Sequence, residues 1–165
     1  MADNSNTLAK APTAQQLWQF SLALYPQVQP LCLAWQDNFG VNINLLLLLC
    51  YLEQQQLSLT HQQLLQLTAE LEQFSSQFTQ PLRALRRKSS SASLSTSQQQ
   101  HLKQALLQAE LKLEQLEQQL LLQHCPALNA NAQPLLELYF SQINAKSPAL
   151  AAQIIDLRQA CRQLN

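Results

Sequence analysis

The stretch Phe39-Gly40-Val41-Asn42-Ile43-Asn44-Leu45-Leu46-Leu47-Leu48-Leu49-Cys50-Tyr51-Leu52 decides the architecture. From Ile43 onward it is apolar nearly all round, and a helix of that kind is enclosed by other helices. It is far shorter than the ~20 apolar residues that a bilayer crossing requires. It therefore reads as the central buried helix, over about 43–56, of a soluble protein. Gly40 is the only glycine in 165 residues, where about ten are usual. Asp37, Asn38, Asn42 and Asn44 surround it, and such residues cap helices and build tight turns. Gly40 fits the left-handed position just past one helix, with Asn42 or Asn44 capping the next.

Leu and Gln dominate the rest of the chain, and both favour helix. The expected fold is all-α: a single-domain helical bundle of about six or seven helices, including a long antiparallel helical hairpin. Residues 1–12 read as a disordered tail and 13–165 as the helical domain. Thr13 and Gln16 form a capping-box pattern that opens the first helix, which Pro26 is expected to end. A second helix would run from Gln27 or Pro30 to Asn38.

Thr60 and Gln63 open the next long helix, whose apolar residues run from Leu64 to Leu85 at alternating three- and four-residue steps. Pro81 would either kink it or start a new helix capped by Thr79. The Ser-rich segment 88–97 reads as a flexible loop. Ser95, Thr96 or Ser97 then caps a helix reaching about Gln123. In it Leu102, Leu106, Ala109, Leu113, Leu116 and Leu120 keep a strict four-three spacing, the pattern of a supercoiled seam. Two shorter helices are expected near 133–144 and 148–163.

Lys plus Arg and Asp plus Glu both number 10, so the formal net charge is zero. That weighs against a general nucleic-acid binder, which carries a basic excess. Charged residues make up only 12% of the chain, so the polar faces are mainly Gln and repel one another weakly. Cys32, Cys50, Cys125 and Cys161 lie far apart, as do the three histidines. This is neither metal-ligand spacing nor a disulfide framework, and buried thiols in a reducing cytosol are expected. The N-terminus lacks the apolar region of a signal peptide, which points to a cytoplasmic protein. Neither a cofactor nor a metal is expected: a single glycine rules out a Gly-rich phosphate loop, and no Gly-x-Ser-x-Gly or His-Glu-x-x-His occurs.

The main candidate site is Arg83, Arg86, Arg87 and Lys88. The three arginines, at i, i+3 and i+4, share one helix face, suited to phosphate, RNA backbone or an acidic partner. The plainer reading is a cationic helix end favoured by the helix dipole. A secondary polar site would join Asp37 and Asn42 to Trp18, although capping accounts for these polar residues without a ligand. Glu70, Glu72, Glu110, Glu114 and Glu117 flank the heptad positions and are expected to be solvated or in weak surface pairs.

The segments Leu17-Trp18-Gln19-Phe20-Ser21-Leu22-Ala23-Leu24-Tyr25, Cys32-Leu33, Gln36-Asp37 and Gly40-Val41-Asn42-Ile43-Asn44-Leu45-Leu46, with Pro81-Leu82-Arg83-Ala84-Leu85-Arg86-Arg87, resemble DUF2390. This is a family of small uncharacterised proteobacterial proteins. The resemblance implies a largely helical bacterial cytoplasmic protein and no particular reaction. The functional expectation is a non-enzymatic helical protein-interaction or regulatory module, whose partner is another protein or a second copy. One alternative is a binder of, or enzyme acting on, a small anionic ligand at Arg83, Arg86 and Arg87. Another is an RNA- or ribosome-associated factor. A concave pocket joining the Gly40 corner to the arginines would favour the small ligand.

Overall fold

A computed structural model describes residues 8–164. Of the tail expected over 1–12, residues 1–7 lie outside the described residues. Leu8–Ala9 is not a tail but a short strand, β1, paired antiparallel with β2, Leu128–Asn129. Ser58 exchanges two backbone hydrogen bonds with Asn129, of 2.9 and 3.0 Å, from the other side. The remainder is an all-α bundle of seven α-helices among the described residues.

The first helix, α1, is Ala14–Phe39, and it runs straight through Pro26 and Pro30. The expected break at Pro26 is therefore wrong. Thr13 and Gln16 do form the reciprocal capping box. Leu17, Ser21, Leu24, Val28, Cys32 and Trp35 are buried at helical spacing on both sides of the prolines. Both prolines are exposed, and they sit four residues apart, so the N–H that Pro30 lacks is the one Pro26 would have bonded. Water can solvate the freed carbonyls on that face. Burying each apolar side chain contributes about 1.5–3 kcal/mol, which together outweighs the ~3 kcal/mol of an interior proline.

Gly40 ends α1 at φ +71°, with its N–H donating to the Gln36 carbonyl at 3.1 Å. Helix α2, Ile43–Gln54, follows, capped by the Asn42 side chain on the Leu45 N–H. Leu45 to Cys50 and Leu52 are all buried, and α2 packs against α1 and three later helices: α5, Thr96–His124; α6, Leu135–Gln142; and α7, Leu150–Arg162. Arg158 of α7 joins Glu53 of α2, at 2.8 Å, to Glu137 of α6. Trp35 lies in the core with its Nε1–H donating to Gln153 Oε1 of α7 at 3.1 Å. Cys32, Cys50 and Cys161 are buried thiols, and Cys125 is half-buried. No described helix is long and apolar enough to cross a membrane.

Helix α3, His61–Phe74, opens with the Thr60–Gln63 capping box. A π turn, Ser75–Thr79, links it to α4, Gln80–Lys88. Of the two readings of Pro81, a new helix capped by Thr79 does not hold: Thr79 makes no capping bond, and its hydroxyl is buried without a partner. The Gln80 N–H reaches the Ser75 carbonyl. This widened turn makes room for the Pro81 ring, which would otherwise strike the carbonyl four residues back. The Ser-rich segment is shorter as a loop than expected: Ser89–Ser91 is a 3₁₀ turn with Ser89 buried. Ser95 and Gln98 box the start of α5.

Helix α5 folds back along α3 and α4. Arg83 meets Glu110 near the tip, and Glu70 meets His124 near the base, which makes the hairpin antiparallel. The face of α5 that is buried is not the predicted leucine seam. Leu102, Leu106, Leu113, Leu116 and Leu120 are half-buried and Ala109 is exposed. The fully buried residues are Glu110, Glu117, Gln118 and Leu121. Because α5 also packs on α1 and α2, a polar stripe, and not the leucine stripe, points to the middle of the bundle.

Candidate functional site

The Gly40 corner and the arginines of α4 meet across one cavity of about 850 Å³, open to solvent, between α1, α2, α4 and α5. Its α1 wall carries Trp18, Leu22 and Tyr25, at steps of four and three along one flank. Asp37, Asn42 and Asn44 come from the corner, Arg83, Arg86 and Arg87 from α4, and Glu110, Glu114, Glu117 and Gln118 from α5. Of the residues singled out from the sequence, Arg83, Arg86, Arg87, Asp37, Asn42 and Trp18 all line it. Lys88, exposed at the end of α4, does not.

The arginines are not free. Arg83 Nε sits 3.2 Å from Glu110 Oε1, and Arg86 Nε donates to Glu110 Oε2. Glu110 is only 6% exposed, so one buried carboxylate organises two half-buried guanidiniums. Arg87 lies at the mouth, 3.9 Å from Asp37, with both side chains well exposed.

Deeper in, the polar groups form a chain. Glu117 Oε1 accepts from Asn42 Nδ2 at 3.1 Å and from Asn44 Nδ2 at 3.2 Å. Gln118 Nε2 donates to Asn44 Oδ1 at 3.1 Å and to Ser21 Oγ at 2.9 Å. The Asn42 N–H donates to the Tyr139 hydroxyl at 3.0 Å, which fixes the corner to α6. Two acceptors remain unpartnered, Glu117 Oε2 and Gln118 Oε1, in residues that are each only 2% exposed. Among the described residues no cation lies within ion-pair distance of Glu117.

Glu114 stands between these two groups. Burial, reinforced by the neighbouring Glu110, pushes its carboxyl up to about 7 against the opposing pull of Arg83. Burial also raises the Tyr25 phenol, with Glu114 among the charges that add to it.

The expectation that Glu110, Glu114 and Glu117 are solvated is overturned: Glu110 and Glu117 are buried and Glu114 is half-buried. A signal was present. Glu110, Glu114, Glu117 and Leu121 repeat at four-three-four spacing, as regular as the leucines beside them. That regularity shows one face, but only the packing of α1 and α2 against it decides that the face is interior. Glu70 does form a surface pair, with His124 Nδ1 at 2.8 Å.

Fold and cavity together define an all-α bundle with a polar cleft at the joint of two helices, α1 and α2, and a hairpin. The chain belongs to DUF2390, a family described as protein of unknown function, whose model matches residues 16–121. Every cavity-lining residue falls within that segment. No curated protein and no solved structure is detectably similar to this chain.

Proposed function

We propose that this protein is a binding module for a small organic molecule held in the cavity between α1, α2, α4 and α5. The observation that carries this reading is the cavity itself. Its volume of about 850 Å³ lies within the range of small-molecule sites, roughly 300–1,000 Å³. Its lining combines an aromatic wall with a few convergent polar groups, the usual composition of such a site. The purely anionic ligand suggested by Arg83, Arg86 and Arg87 has less support. Glu110 already holds two of the three, and the carboxyls of the lining outnumber the arginines. The same neutralisation weakens the RNA reading.

Ala84 lines the cavity from an exposed position on α4. Ala84→Trp therefore fills the space at small cost to the fold. Native mass spectrometry of protein purified from its own cells is expected to show a bound small molecule that Ala84→Trp loses. Identical spectra for the two proteins, with no adduct in either, would remove the reading.

A second reading is contact with another protein along the hairpin. Phe78 and Leu85 on one arm and Leu107 and Leu111 on the other are exposed, and together they offer apolar surface that a second chain would cover. Sedimentation of the native chain against Leu85→Glu tests self-association. A concentration-dependent dimer lost in the variant supports it, and a monomer in both counts against it.

A further inference from the structure

The acceptors left over on α5 define the ligand more narrowly, given that the cavity binds one. We infer that the cavity takes a molecule bearing a protonated primary amine, seated against Glu114, Glu117 and Gln118, with its hydrocarbon part along Trp18, Leu22 and Tyr25. Three observations converge on this chemistry.

First, the open valences are all acceptors. Glu117 Oε2 and Gln118 Oε1 are buried without a donor. A buried acceptor left unpaired costs about 1–3 kcal/mol, and more when it belongs to a charged group. The donors nearby are directed elsewhere: the Asn42 and Asn44 amides to Glu117 Oε1, and the Gln118 amide to Ser21 and Asn44. An ammonium supplies three donors from one atom. Glu114, Glu117 and Gln118 stand at i, i+3 and i+4 on α5, so they face one place.

Second, the positive charge of the site is already neutralised elsewhere. Arg83 and Arg86 close on Glu110, one turn N-terminal to Glu114. Glu117 has no cation of its own among the described residues. A buried carboxyl in that position gains from an external cation. Third, Trp18 and Tyr25 face the same space across the cavity, and aromatic rings attract ammonium groups through their faces.

The charged and titratable groups around Glu114 are Glu110 and Glu117 on α5, Arg83 and Arg86 on α4, and Tyr25 on α1. An alkylamine keeps its proton well above neutral pH, as lysine does. Glu114 holds a proton up to about pH 7, and an incoming ammonium favours the deprotonated carboxyl. Affinity then rises with pH until Glu114 is ionised, by at most about tenfold per pH unit just below 7, and levels off above it.

The test is calorimetric titration of the full chain with n-butylamine to n-octylamine, and with the alcohols and carboxylates of the same lengths. Saturable binding of the amines alone is expected. Glu114→Gln is expected to weaken it at least tenfold and to flatten its pH dependence, and Glu117→Gln to weaken it similarly. Glu114→Gln removes no hydrogen bond seen in the structure, so it remains informative even if Glu117→Gln unsettles the fold; circular dichroism checks both. Equal binding of amines and alcohols, or amine binding untouched by Glu114→Gln, overturns the inference. Binding of the carboxylates instead, lost in Arg83→Ala, also overturns it and leaves the cavity as a ligand site. No saturable binding in any series, together with no adduct on the native protein, removes both readings.

Discussion

A carboxyl that keeps its proton to about pH 7 makes the stability of the chain depend on pH. Glu114 ionises near 4.3 when unfolded, and burial pushes it up to about 7 in the folded chain. Below about pH 4 both states hold the proton and the residue contributes no pH dependence. Between these values only the folded state holds it, so stability falls as the pH rises, and above about 7 the penalty is constant. Glu114→Gln removes the ionisation. Its melting temperature relative to the native chain is expected to rise from pH 5 to pH 8, measured by scanning calorimetry. A gap that does not change with pH would show that water reaches this carboxyl freely. At this scale the sequence was legible wherever a residue's own backbone preference decides. Gly40 adopts φ +71° as its solitary occurrence suggested, and a Cβ there would meet nothing within 4 Å, so only the backbone requires glycine. Glu117 was not legible, because its burial depends on Asn42 and Asn44, more than seventy residues away.

Among the elements, the prolines of α1 and the stripe on α5 show what outranks a local rule. Pro26 terminates a helix when nothing rewards continuing it. Here the buried row from Leu17 to Trp35 does so, and that row was present in the sequence across both prolines. Pro26→Ala restores an N–H for the Leu22 carbonyl and removes a ring clash. The unfolded chain gains freedom in exchange. The expected net is a stabilisation of about 1 kcal/mol by urea denaturation. A loss of stability would mean that the Pro26 ring restricts the unfolded chain by more than it costs the helix. In α5 the leucine repeat correctly indicated a long helix but not its inward face. Heptad spacing locates stripes without ranking them, and a stripe of carboxyls moves inside when arginines and asparagines from neighbouring helices pair with part of it.

Across the whole molecule, the segment matched by the family model does not contain the whole core. It ends at residue 121, while Leu128, Leu135, Leu136, Tyr139, Phe140, Ile154, Leu157 and Cys161 are all buried in the same core cluster as α2. At about 1.5–3 kcal/mol for each large side chain, their loss is as large as or larger than the 5–15 kcal/mol that holds a domain together. A chain ending at His124 is therefore expected to lack a cooperative melt and to bind a hydrophobic dye, although it retains every residue of the cavity wall. A sharp thermal transition in that fragment would show that α1 to α5 fold without α6 and α7. The all-α class and the hairpin were readable because helix periodicity is local. The cavity was not, because it exists only where the Gly40 corner and the tip of the hairpin meet.

The bond from Trp35 to Gln153 spans 118 residues of chain, and β1 waits for Leu128–Asn129 in the same way. A ribosome adds ~5–20 residues per second. The apolar faces of α1 and α2 therefore emerge roughly 6 to 24 seconds before α7 can cover them. The yield of folded protein in a cell is then governed by whatever shields the nascent leucines during that interval.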